Sequence, residues 1–327
     1  MNWNGKKVLV TGAGGFIGSH LAERLVNEGA EVRAMVHYNA LGKAGWLDHS
    51  PLRERMAIIG GDITDRDSVS AAVKGVDVVF HLGALIAIPY SYRAPASYVQ
   101  TNVMGTLNVL QAALDHGVAR MVHTSTSEVY GTARIVPIAE THPLVGQSPY
   151  SASKIGADQM ADAFHRSFRL PVATIRPFNT FGPRQSMRAV IPTIIAQALS
   201  GKQIRLGKTD VTRDFNFVTN TVDGFLGVAG CDAAIGRVTN VGSGVEVTVN
   251  DVVRMVAEIT GAPLEVETDP ARLRPEASEV ERLWADTAQA KALFGYEPRR
   301  TLRQGLEETV AWIADNLDHY RPSAYVV

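Results

Sequence analysis

The sequence predicts a doubly wound α/β fold, in which helices cover both faces of a mostly parallel sheet. Short apolar runs alternate with amphipathic stretches through the first half of the chain, as parallel strand–helix–strand units require. The largely apolar run at 76–80 indicates a strand buried between two layers of helices. A glycine-rich turn follows the first strand, where a sheet of this kind holds phosphate-bearing ligands.

The elements of this fold can be placed in order along the chain. Up to residue 177 we predict strands at 7–11, 31–36, 56–59, 76–81, 120–124 and 172–176, with helices at 19–28, 66–73, 97–116 and 150–168. Beyond it we predict helices at about 190–200, 249–260, 285–293 and 302–317, and a strand at 237–241 that returns to the main sheet. We therefore expect a large domain of residues 1–177 with about 237–244, and a smaller, interleaved α/β domain of residues 178–327.

The composition argues against several classes of partner. The 32 Lys and Arg residues nearly balance the 33 Asp and Glu residues, so a net charge of −1 gives no reason to expect nucleic acid or an anionic membrane. No apolar run approaches the roughly 18–20 residues of a membrane span, and no secretory signal pattern precedes the first strand. Cys231 is the single cysteine, so no internal disulfide forms; we expect a cytoplasmic protein without a metal site.

The glycine-rich turn after the first strand has the spacing of a phosphate-binding loop. Among Gly12, Gly15 and Gly18, one glycine permits the tight turn, another lets the backbone approach a pyrophosphate, and the last allows close strand–helix packing. Phe16 and Ile17 begin a helix whose free N–H groups and positive dipole end face the phosphates. A purely structural turn is the alternative, but the place of the loop between a strand and a helix favours a dinucleotide.

A second signal lies at the start of the helix predicted at 150–168. Tyr150 and Lys154 are four residues apart and share one face of the helix. A lysine ammonium beside a tyrosine favours the phenolate, which can take or return a hydroxyl proton while hydride moves to or from a nicotinamide. Such pairs are common on exposed helices. Here the pair follows a glycine-rich loop and a cluster of Thr and Ser at 124–127, which favours catalysis.

Together these segments resemble the extended short-chain dehydrogenase/reductase superfamily, and within it the NAD-dependent epimerase/dehydratase family. GDITD at 61–65, HLGA at 81–84, NVMGT at 102–106 and TSEVYG at 126–131 follow the GxxGxxG loop in the order of that family. The resemblance implies an N-terminal Rossmann domain for the dinucleotide, a C-terminal domain for a nucleotide sugar, and NAD or NADP held tightly and recycled. It assigns the cofactor contacts to Gly12, Gly15, Phe16, Ile17, Gly18, His37, Asp62, Ile63, Leu82, Ala84, Asn102, Thr124, Tyr150, Lys154 and Pro177.

The second predicted strand departs from the pattern of NAD-preferring relatives. Those relatives carry an acid at its end, where it bonds the ribose 2′-hydroxyl, whereas this chain reads Val36-His37-Tyr38. His37 is either a contact for the 2′-phosphate of NADP or a polar residue at a strand end. The choice between NAD and NADP therefore stays open.

The resemblance also assigns catalytic roles to residues 126–128. Thr126 completes a triad with Tyr150 and Lys154 by bonding the reacting sugar oxygen. Glu128 favours a 4,6-dehydratase, because that reaction removes the C5 proton beside a C4 ketone and expels the C6 hydroxyl, whereas a 4-epimerase needs neither step. Ser127 stands where glucose-nucleotide dehydratases carry an aspartic acid, so either Glu128 delivers the proton to the leaving hydroxyl or Ser127 relays it.

Several alternatives to dehydration remain. UDP-glucuronate decarboxylases carry the same Thr-Ser-Glu before Val-Tyr-Gly, 4-epimerases share the fold, and Glu128 could cap or pair near the site without reacting. A cofactor-sensing regulator is disfavoured by the intact triad. The wider pattern at 36–39 and 147–158 looks most like 4,6-dehydratases of legionaminic-acid-type pathways, which implies a nucleotide-linked N-acetylglucosamine as substrate.

The nucleotide sugar is expected to bind mainly beyond residue 177. Arg213 and Arg274 lie in segments that resemble the RDFxxVxD and RPxxxxxxxAD elements of the family, and should converge on the diphosphate. Guanidinium forks suit phosphate oxygens. The other contacts are assigned to Asn179 at the diphosphate, Val190 at the base pocket, and Tyr90 and Ser91, in a predicted loop at 85–95, at the hexose pocket.

The helices predicted at 97–116 and 150–168 carry more apolar residues than one buried face needs. In relatives such helices form a four-helix interface, so the resemblance implies a homodimer. A wide stripe that faces the core is the alternative.

Overall fold

A computed structural model describes residues 1–322, 324 and 325. Its strands are β1 (Lys7–Thr11), β2 (Glu31–His37), β3 (Met56–Gly61), β4 (Val78–His81), β5 (Arg120–Thr124), β6 (Val172–Pro177), β7 (Asn179–Phe181), β8 (Gln203–Leu206), β9 (Thr212–Arg213), β10 (Phe215–Phe217), β11 (Val238–Val241), β12 (Val247–Thr248) and β13 (Glu265–Thr268). Its helices are α1 (Phe16–Asn27), α2 (Arg66–Val73), α3 (Ile88–Arg93), α4 (Pro95–Tyr98), α5 (Gly105–Asp115), α6 (Pro149–Phe168), α7 (Val190–Ser200), α8 (Val218–Gly230), α9 (Val249–Thr260), α10 (Ala288–Phe294) and α11 (Leu302–Asp315).

The largest sheet has seven strands in the order β11-β6-β5-β4-β1-β2-β3. Every neighbouring pair in it is parallel, so each strand must be reached by a crossover connection. Helices α1, α8 and α10 cover one face, and α2, α5 and α6 cover the other. The doubly wound α/β fold predicted from the sequence is confirmed.

Strand β1 shows why its residues are apolar at successive positions. Side chains of a strand alternate between the two faces of a sheet. Val8 and Val10 pack into the core beneath α1 and α8, while Leu9 packs into the core beneath α2 and α5, and all three are fully buried. A strand with helices on both sides therefore needs apolar residues throughout.

A second apolar core lies beyond the main sheet, between α7, α9, α11 and the short strands. Ile194, Phe217, Val252 and Leu306 are buried within it. The chain returns from this region to the main sheet at 238–241, where β11 pairs with β6 at the edge of the sheet. The division into domains at residue 177 stays a prediction. Within residues 1–322, 324 and 325, no helix combines the length and the apolar character that a membrane span requires.

The region predicted as one helix at 97–116 is built differently. It consists of α4, a π-helical segment Val99–Met104 and α5. The Asn102 side chain in the π segment accepts a hydrogen bond from Leu85 N over 2.8 Å and donates to Leu85 O over 2.9 Å. π segments within helices are frequent at functional sites, and this one holds the turn after β4 in place.

Candidate active site

A cavity of about 1110 Å³ lies at the carboxyl ends of β1, β4, β5 and β6. Strands β2 and β3 lie on one side of β1, and β4 begins the other side, so the strand order reverses at β1. Open parallel sheets bind ligands at such a switch point. The volume exceeds the roughly 300–1,000 Å³ of a pocket for one drug-sized ligand. The cavity therefore offers space for two ligands side by side.

The glycine loop forms one end of this cavity and leaves room for a pyrophosphate. Gly12 has a φ of +69°, and a Cβ there would lie 2.9 Å from Gly83 N. A Cβ on Gly18 would lie 2.2 Å from Gly12 O, so the loop cannot close against α1 with a larger residue. Gly15 caps α1 without any side chain, so the N–H groups from Phe16 and Ile17 onward are open to an anion.

The ends of β2 and β3 line the part of the cavity assigned to the adenosine. His37 is exposed, and its Nδ1 lies 3.9 Å from a carboxylate oxygen of Asp62. Asp62 also accepts a hydrogen bond from Thr64 N over 2.8 Å, which shapes the turn after β3. A Cβ on Gly105 would lie 2.8 Å from the Ile63 side chain, and a Cβ on Gly83 would lie 3.3 Å from it. Ile63 therefore packs closely against both glycines.

The turn after β4 and the last residues of β5 and β6 place further predicted cofactor residues in the cavity wall. Leu82, Ala84, Thr124 and Pro177 all line it. Thr124 Oγ1 is buried and has no hydrogen-bond partner within the described residues, so it can serve a ligand. Asn102 lies outside this wall as described, and its amide is engaged by Leu85 and by Ser153 Oγ at 2.9 Å, so its predicted contact with the cofactor stays a prediction.

The start of α6 sets the position of Tyr150. Ser148 caps the helix in a reciprocal capping box with Ser151, and Pro149 takes the first helical position, where its missing N–H costs nothing. Tyr150 thus stands in the first turn, buried with its ring edge-on to Tyr98. Burial raises the pKa of the Tyr150 phenol.

Thr126 and Glu128 act on the same phenol from the turn after β5. A hydrogen bond with the Thr126 hydroxyl lowers the pKa of Tyr150, so Thr126 faces the phenol, whereas the charge of Glu128 raises it. Thr126 Oγ1 also accepts from Glu128 N over 3.2 Å, which begins a short 3₁₀ turn at Ser127. Ser127 and Glu128 are buried and line the cavity.

Lys154 follows Tyr150 by one helical turn and is also buried. Its Nζ donates a hydrogen bond to Thr124 O over 2.6 Å. Burial lowers the pKa of Lys154 to about 8, while the charge of Asp158 raises it. Lys154 is therefore an ammonium at neutral pH, and it lines the same cavity as Tyr150.

Arg213 and Arg274 both line the cavity, and they meet on a carboxylate that the sequence analysis missed; their predicted contact with the diphosphate stays a prediction. Arg213 Nη2 and Arg274 Nη1 each lie 3.4 Å from Glu279 Oε1. The charge of Glu128 also acts on Arg213 and raises its pKa against the larger effect of burial. The guanidinium of Arg213 therefore feels the charges of both the candidate catalytic carboxylate and Glu279.

Two residues assigned to the hexose pocket, Tyr90 and Ser91, lie outside the cavity wall as described, and their contact with the sugar stays a prediction. Residues 88–93 form α3, and the cavity wall as described includes 86–89 but neither Tyr90 nor Ser91. Ser91 Oγ donates to Ile88 O over 2.7 Å, and Tyr90 packs beside Tyr98. A helix presents only one of its faces to the cavity, and in α3 that face begins with Ile88 and Pro89. Of the other predicted substrate contacts, Asn179 and Val190 line the wall.

Comparison with known proteins gives the family. The family model for GDP-mannose 4,6-dehydratase matches residues 9–309. The chain belongs to the GDP-mannose 4,6-dehydratase family. Two relatives are each 34% identical to it: dTDP-glucose 4,6-dehydratase of Streptomyces antibioticus, over 96% of this chain and 94% of the relative, and UDP-glucose 4-epimerase of Mycolicibacterium smegmatis, over 93% and 97%.

A solved structure extends this family relationship to the fold. DesIV, a dTDP-glucose 4,6-dehydratase from Streptomyces venezuelae with NAD and TYD bound, matches with a TM-score of 0.85 and 29% identity. The match covers 97% of this chain and 99% of DesIV. The predicted epimerase/dehydratase family and Rossmann architecture are confirmed.

Arg188 is a second cavity residue that the family motifs did not reveal. It lies in the cavity wall two residues before α7, and its charge lowers the pKa of Tyr98, which packs on Tyr150. Its Nε donates to Ser186 Oγ over 3.3 Å, and no carboxylate in the described part of the chain forms an ion pair with it. An arginine just before a helix that borders a predicted pocket is the sequence signal that could have found it.

Proposed function

We propose that the protein is a nucleotide-sugar 4,6-dehydratase, which converts an NDP-hexose to its 4-keto-6-deoxy derivative. The observation that supports this most is the Glu128 carboxylate in the wall of the cavity that also holds Tyr150. Its charge raises the pKa of the Tyr150 phenol, and both side chains line the same cavity, where one sugar ring could meet them. A 4-epimerase has no step that needs such a carboxylate, whereas dehydration has two.

We infer that NAD or NADP binds at the glycine-loop end of the cavity. The N-terminus of α1 suits a pyrophosphate, and the Thr124 hydroxyl is buried with no partner in the described structure. When bound, the cofactor takes hydride from C4 and returns it to C6, so none is consumed. His37, rather than an acid, ends β2, and both cofactors remain within this proposal.

The side chains of the cavity supply the proton transfers. Tyr150 accepts the C4 hydroxyl proton as C4 is oxidised, with Thr126 bonding the same oxygen and Lys154 stabilising the phenolate. Glu128 removes the C5 proton, which the C4 ketone has acidified, and delivers it to the C6 hydroxyl, either directly or through Ser127. The C6–O bond breaks and water leaves. Reduction at C6 and return of the Tyr150 proton to C5 then balance the reaction.

We propose nucleotide-linked N-acetylglucosamine as the substrate, on the resemblance to legionaminic-acid-type dehydratases. Arg213 and Arg274 would hold the diphosphate by exchanging their contacts with Glu279 for contacts with phosphate oxygens. Asn179 Oδ1 is buried without a partner among the described atoms and can accept from a sugar hydroxyl. Val190, at the start of α7, lines the part of the cavity proposed for the nucleotide base.

Product analysis tests this function. We expect incubation with UDP- or GDP-linked N-acetylglucosamine to give a product that has lost one water by mass spectrometry. Glucose, mannose and glucuronic acid nucleotides complete the panel. Unchanged mass with an inverted C4 would indicate an epimerase instead.

Glu128→Gln is the variant that isolates the carboxylate. It should bind NAD with unchanged affinity in calorimetry yet lose dehydration, because an amide cannot take the C5 proton. Glu297→Gln is the matched control, since Glu297 is exposed and paired with Lys291, and it should behave as wild type. Full dehydration by Glu128→Gln would remove Glu128 from the mechanism.

A hexuronate decarboxylase is the second candidate, and Arg188 is the observation that favours it. A guanidinium without an ionic partner in the described structure suits the C6 carboxylate of a uronic acid better than a C6 hydroxyl. Loss of carbon dioxide from UDP-glucuronic acid, abolished by Arg188→Gln, would establish this reaction. Turnover of neutral hexose nucleotides alone would rule it out.

A further inference from the structure

Asp158 lies one helical turn beyond Lys154 on α6, behind the cavity. Its side chain is 4% exposed, and it is not part of the cavity wall in the described structure. A carboxylate buried in this way is costly unless it is paired and hydrogen-bonded. None of the steps proposed above uses it, so its place in the molecule needs a separate physical reason.

Donors from two strands satisfy this carboxylate. His123 Nε2 lies 3.0 Å from Oδ1, and Ser125 Oγ donates to Oδ2 over 2.7 Å. Arg176 donates to Oδ2 from β6, with its Nη2 at 2.9 Å. All three donors are buried. One side chain of α6 thus fastens the carboxyl ends of both β5 and β6.

Two of these donors flank the contact that holds the catalytic lysine. His123 and Ser125 are the neighbours of Thr124, whose carbonyl accepts the Lys154 ammonium over 2.6 Å. The next residue, Thr126, carries the hydroxyl that faces Tyr150. Movement of the Asp158 network would therefore displace the lysine contact and the triad threonine together.

The charge of Asp158 reaches the same groups. Burial would raise its pKa, but the hydrogen bond from His123 and the charge of Arg176 hold the pKa at about 2, so the group is an anion. That anion raises the pKa of Lys154, against the larger effect of burial. It also raises the pKa of Tyr150.

We propose that Asp158 is a positioning residue for the Tyr150–Lys154 pair. It fixes the carbonyl that binds the Lys154 ammonium, and it supplies the negative charge that keeps this buried ammonium protonated. Only the kinetic arm of the test below rests on the proposed function. The other titratable groups around Tyr150, Lys154 and the Asp158 carboxylate are His81, Tyr98, His123, Glu128 and Arg176, with Tyr130 bonded to Arg176 behind them.

Asp158→Asn removes the charge while leaving the hydrogen bonds possible. The asparagine oxygen can accept from Ser125 and Arg176. His123 Nδ1 has no partner in the described structure, so the imidazole proton can move there and Nε2 can accept from the new amide. Asp162→Asn is the matched control, because Asp162 lies one turn further along α6, is exposed and pairs with Arg166.

The first measurement is the titration of Lys154 in the substrate-free protein. Lysine side-chain ¹³C NMR, with the signal assigned by Lys154→Arg, should give a midpoint of about 8 in wild type. We expect a midpoint at least about one pH unit lower in Asp158→Asn, and no change in Asp162→Asn. Equal midpoints in wild type and Asp158→Asn would overturn the proposal.

The second measurement is the pH dependence of kcat for whichever nucleotide sugar turns over. Loss of a negative charge lowers the pKa of both Tyr150 and Lys154, so the whole profile should move to lower pH. A carboxylate that only supported the fold would lower kcat at every pH without moving the profile, and that result would contradict the proposal. If no nucleotide sugar turns over, the proposed function fails, while the titration still decides the role of Asp158.

Ser125→Ala covers the case in which Asp158→Asn does not fold. This variant keeps the charge and removes one donor to the carboxylate. We expect the Lys154 midpoint to stay in place and kcat to fall severalfold, because the strand end is held less firmly. A kcat equal to that of wild type would overturn the positioning role.

Discussion

At the scale of single residues, burial and neighbouring charges set the resting state of the catalytic pair. Burial raises the pKa of Tyr150 and lowers that of Lys154 to about 8, so at neutral pH Tyr150 is a neutral phenol and Lys154 is an ammonium. Ionising this buried phenol at neutral pH needs a positive charge beside it. An oxidised nicotinamide would provide it, which would couple removal of the hydroxyl proton to the bound cofactor.

Asp158 leads to a prediction about stability in acid. Its pKa is about 2 in the fold and 3.8 ordinarily, so its contribution is complete above about pH 4 and is lost as pH falls towards 2. This shift corresponds to about 2 kcal/mol of unfolding free energy. Urea unfolding at a series of pH values should show this loss in wild type and not in Asp158→Asn. Parallel pH dependences for the two proteins would contradict it.

The same scale shows which site residues a sequence can reveal. The glycine loop and the Tyr150–Lys154 pair are local patterns, because their chemistry depends on spacings of three or four residues. Glu279 and Arg188 reach the cavity from separate loops, and only tertiary packing brings them there. Asn102 carries a family motif, yet its amide serves the backbone of Leu85 rather than the cavity wall.

At the scale of elements, the capping box of α6 links stability to catalysis. Ser148→Ala removes the side chain that accepts from Ser151 N over 3.1 Å, which should lower the unfolding free energy by about 1 kcal/mol. Because Tyr150 stands in the capped turn, kcat should fall as well. Chemical denaturation and steady-state kinetics measure the two effects.

Thr301→Ala is the control for that prediction. Thr301 caps α11 with the same reciprocal geometry and lies outside the cavity wall in the part of the chain described. It should lose a similar amount of stability and keep its kcat. If both variants lost kcat equally, the link between the α6 cap and Tyr150 would be wrong.

Element boundaries show the limits of periodicity. Apolar spacing predicted one helix at 97–116, but Asn102 makes hydrogen bonds across to Leu85, and the chain there adopts a π-helical segment. The segment around Tyr90 reads as a loop in the sequence and forms α3, with Tyr98 donating to Ala87 O at its start. Long-range contacts therefore decide both regions, and a local pattern does not contain them.

At the scale of the whole molecule, we predict a homodimer through the face around α4, the π segment and α6. Val99 is 54% exposed, Met104 40% and Phe168 54%, which is unusual for apolar side chains on neighbouring helices. Sedimentation equilibrium should give twice the chain mass of 35.3 kDa. Val99→Glu with Met104→Glu should give the monomer, whereas Leu41→Glu, at an exposed site between β2 and β3, should not. A monomeric wild-type protein would contradict the prediction.

The whole chain also shows why the family is easier to predict than the reaction. Alternating strands and helices and a set of ordered motifs span nearly all of its length, so fold and family follow from many residues at once. The reaction depends on a few side chains near C5 and C6 of the sugar. Relatives with equal identity to this chain are a 4,6-dehydratase and a 4-epimerase.

The most direct test of the central claim, that Glu128 and Tyr150 act on one hexose, is NMR of the product formed in D₂O. From a nucleotide-linked N-acetylglucosamine, we predict a 4-keto-6-deoxy sugar with one deuterium at C5, and no incorporation with Glu128→Gln. A product that keeps its C6 hydroxyl and carries no deuterium at C5 would contradict the account.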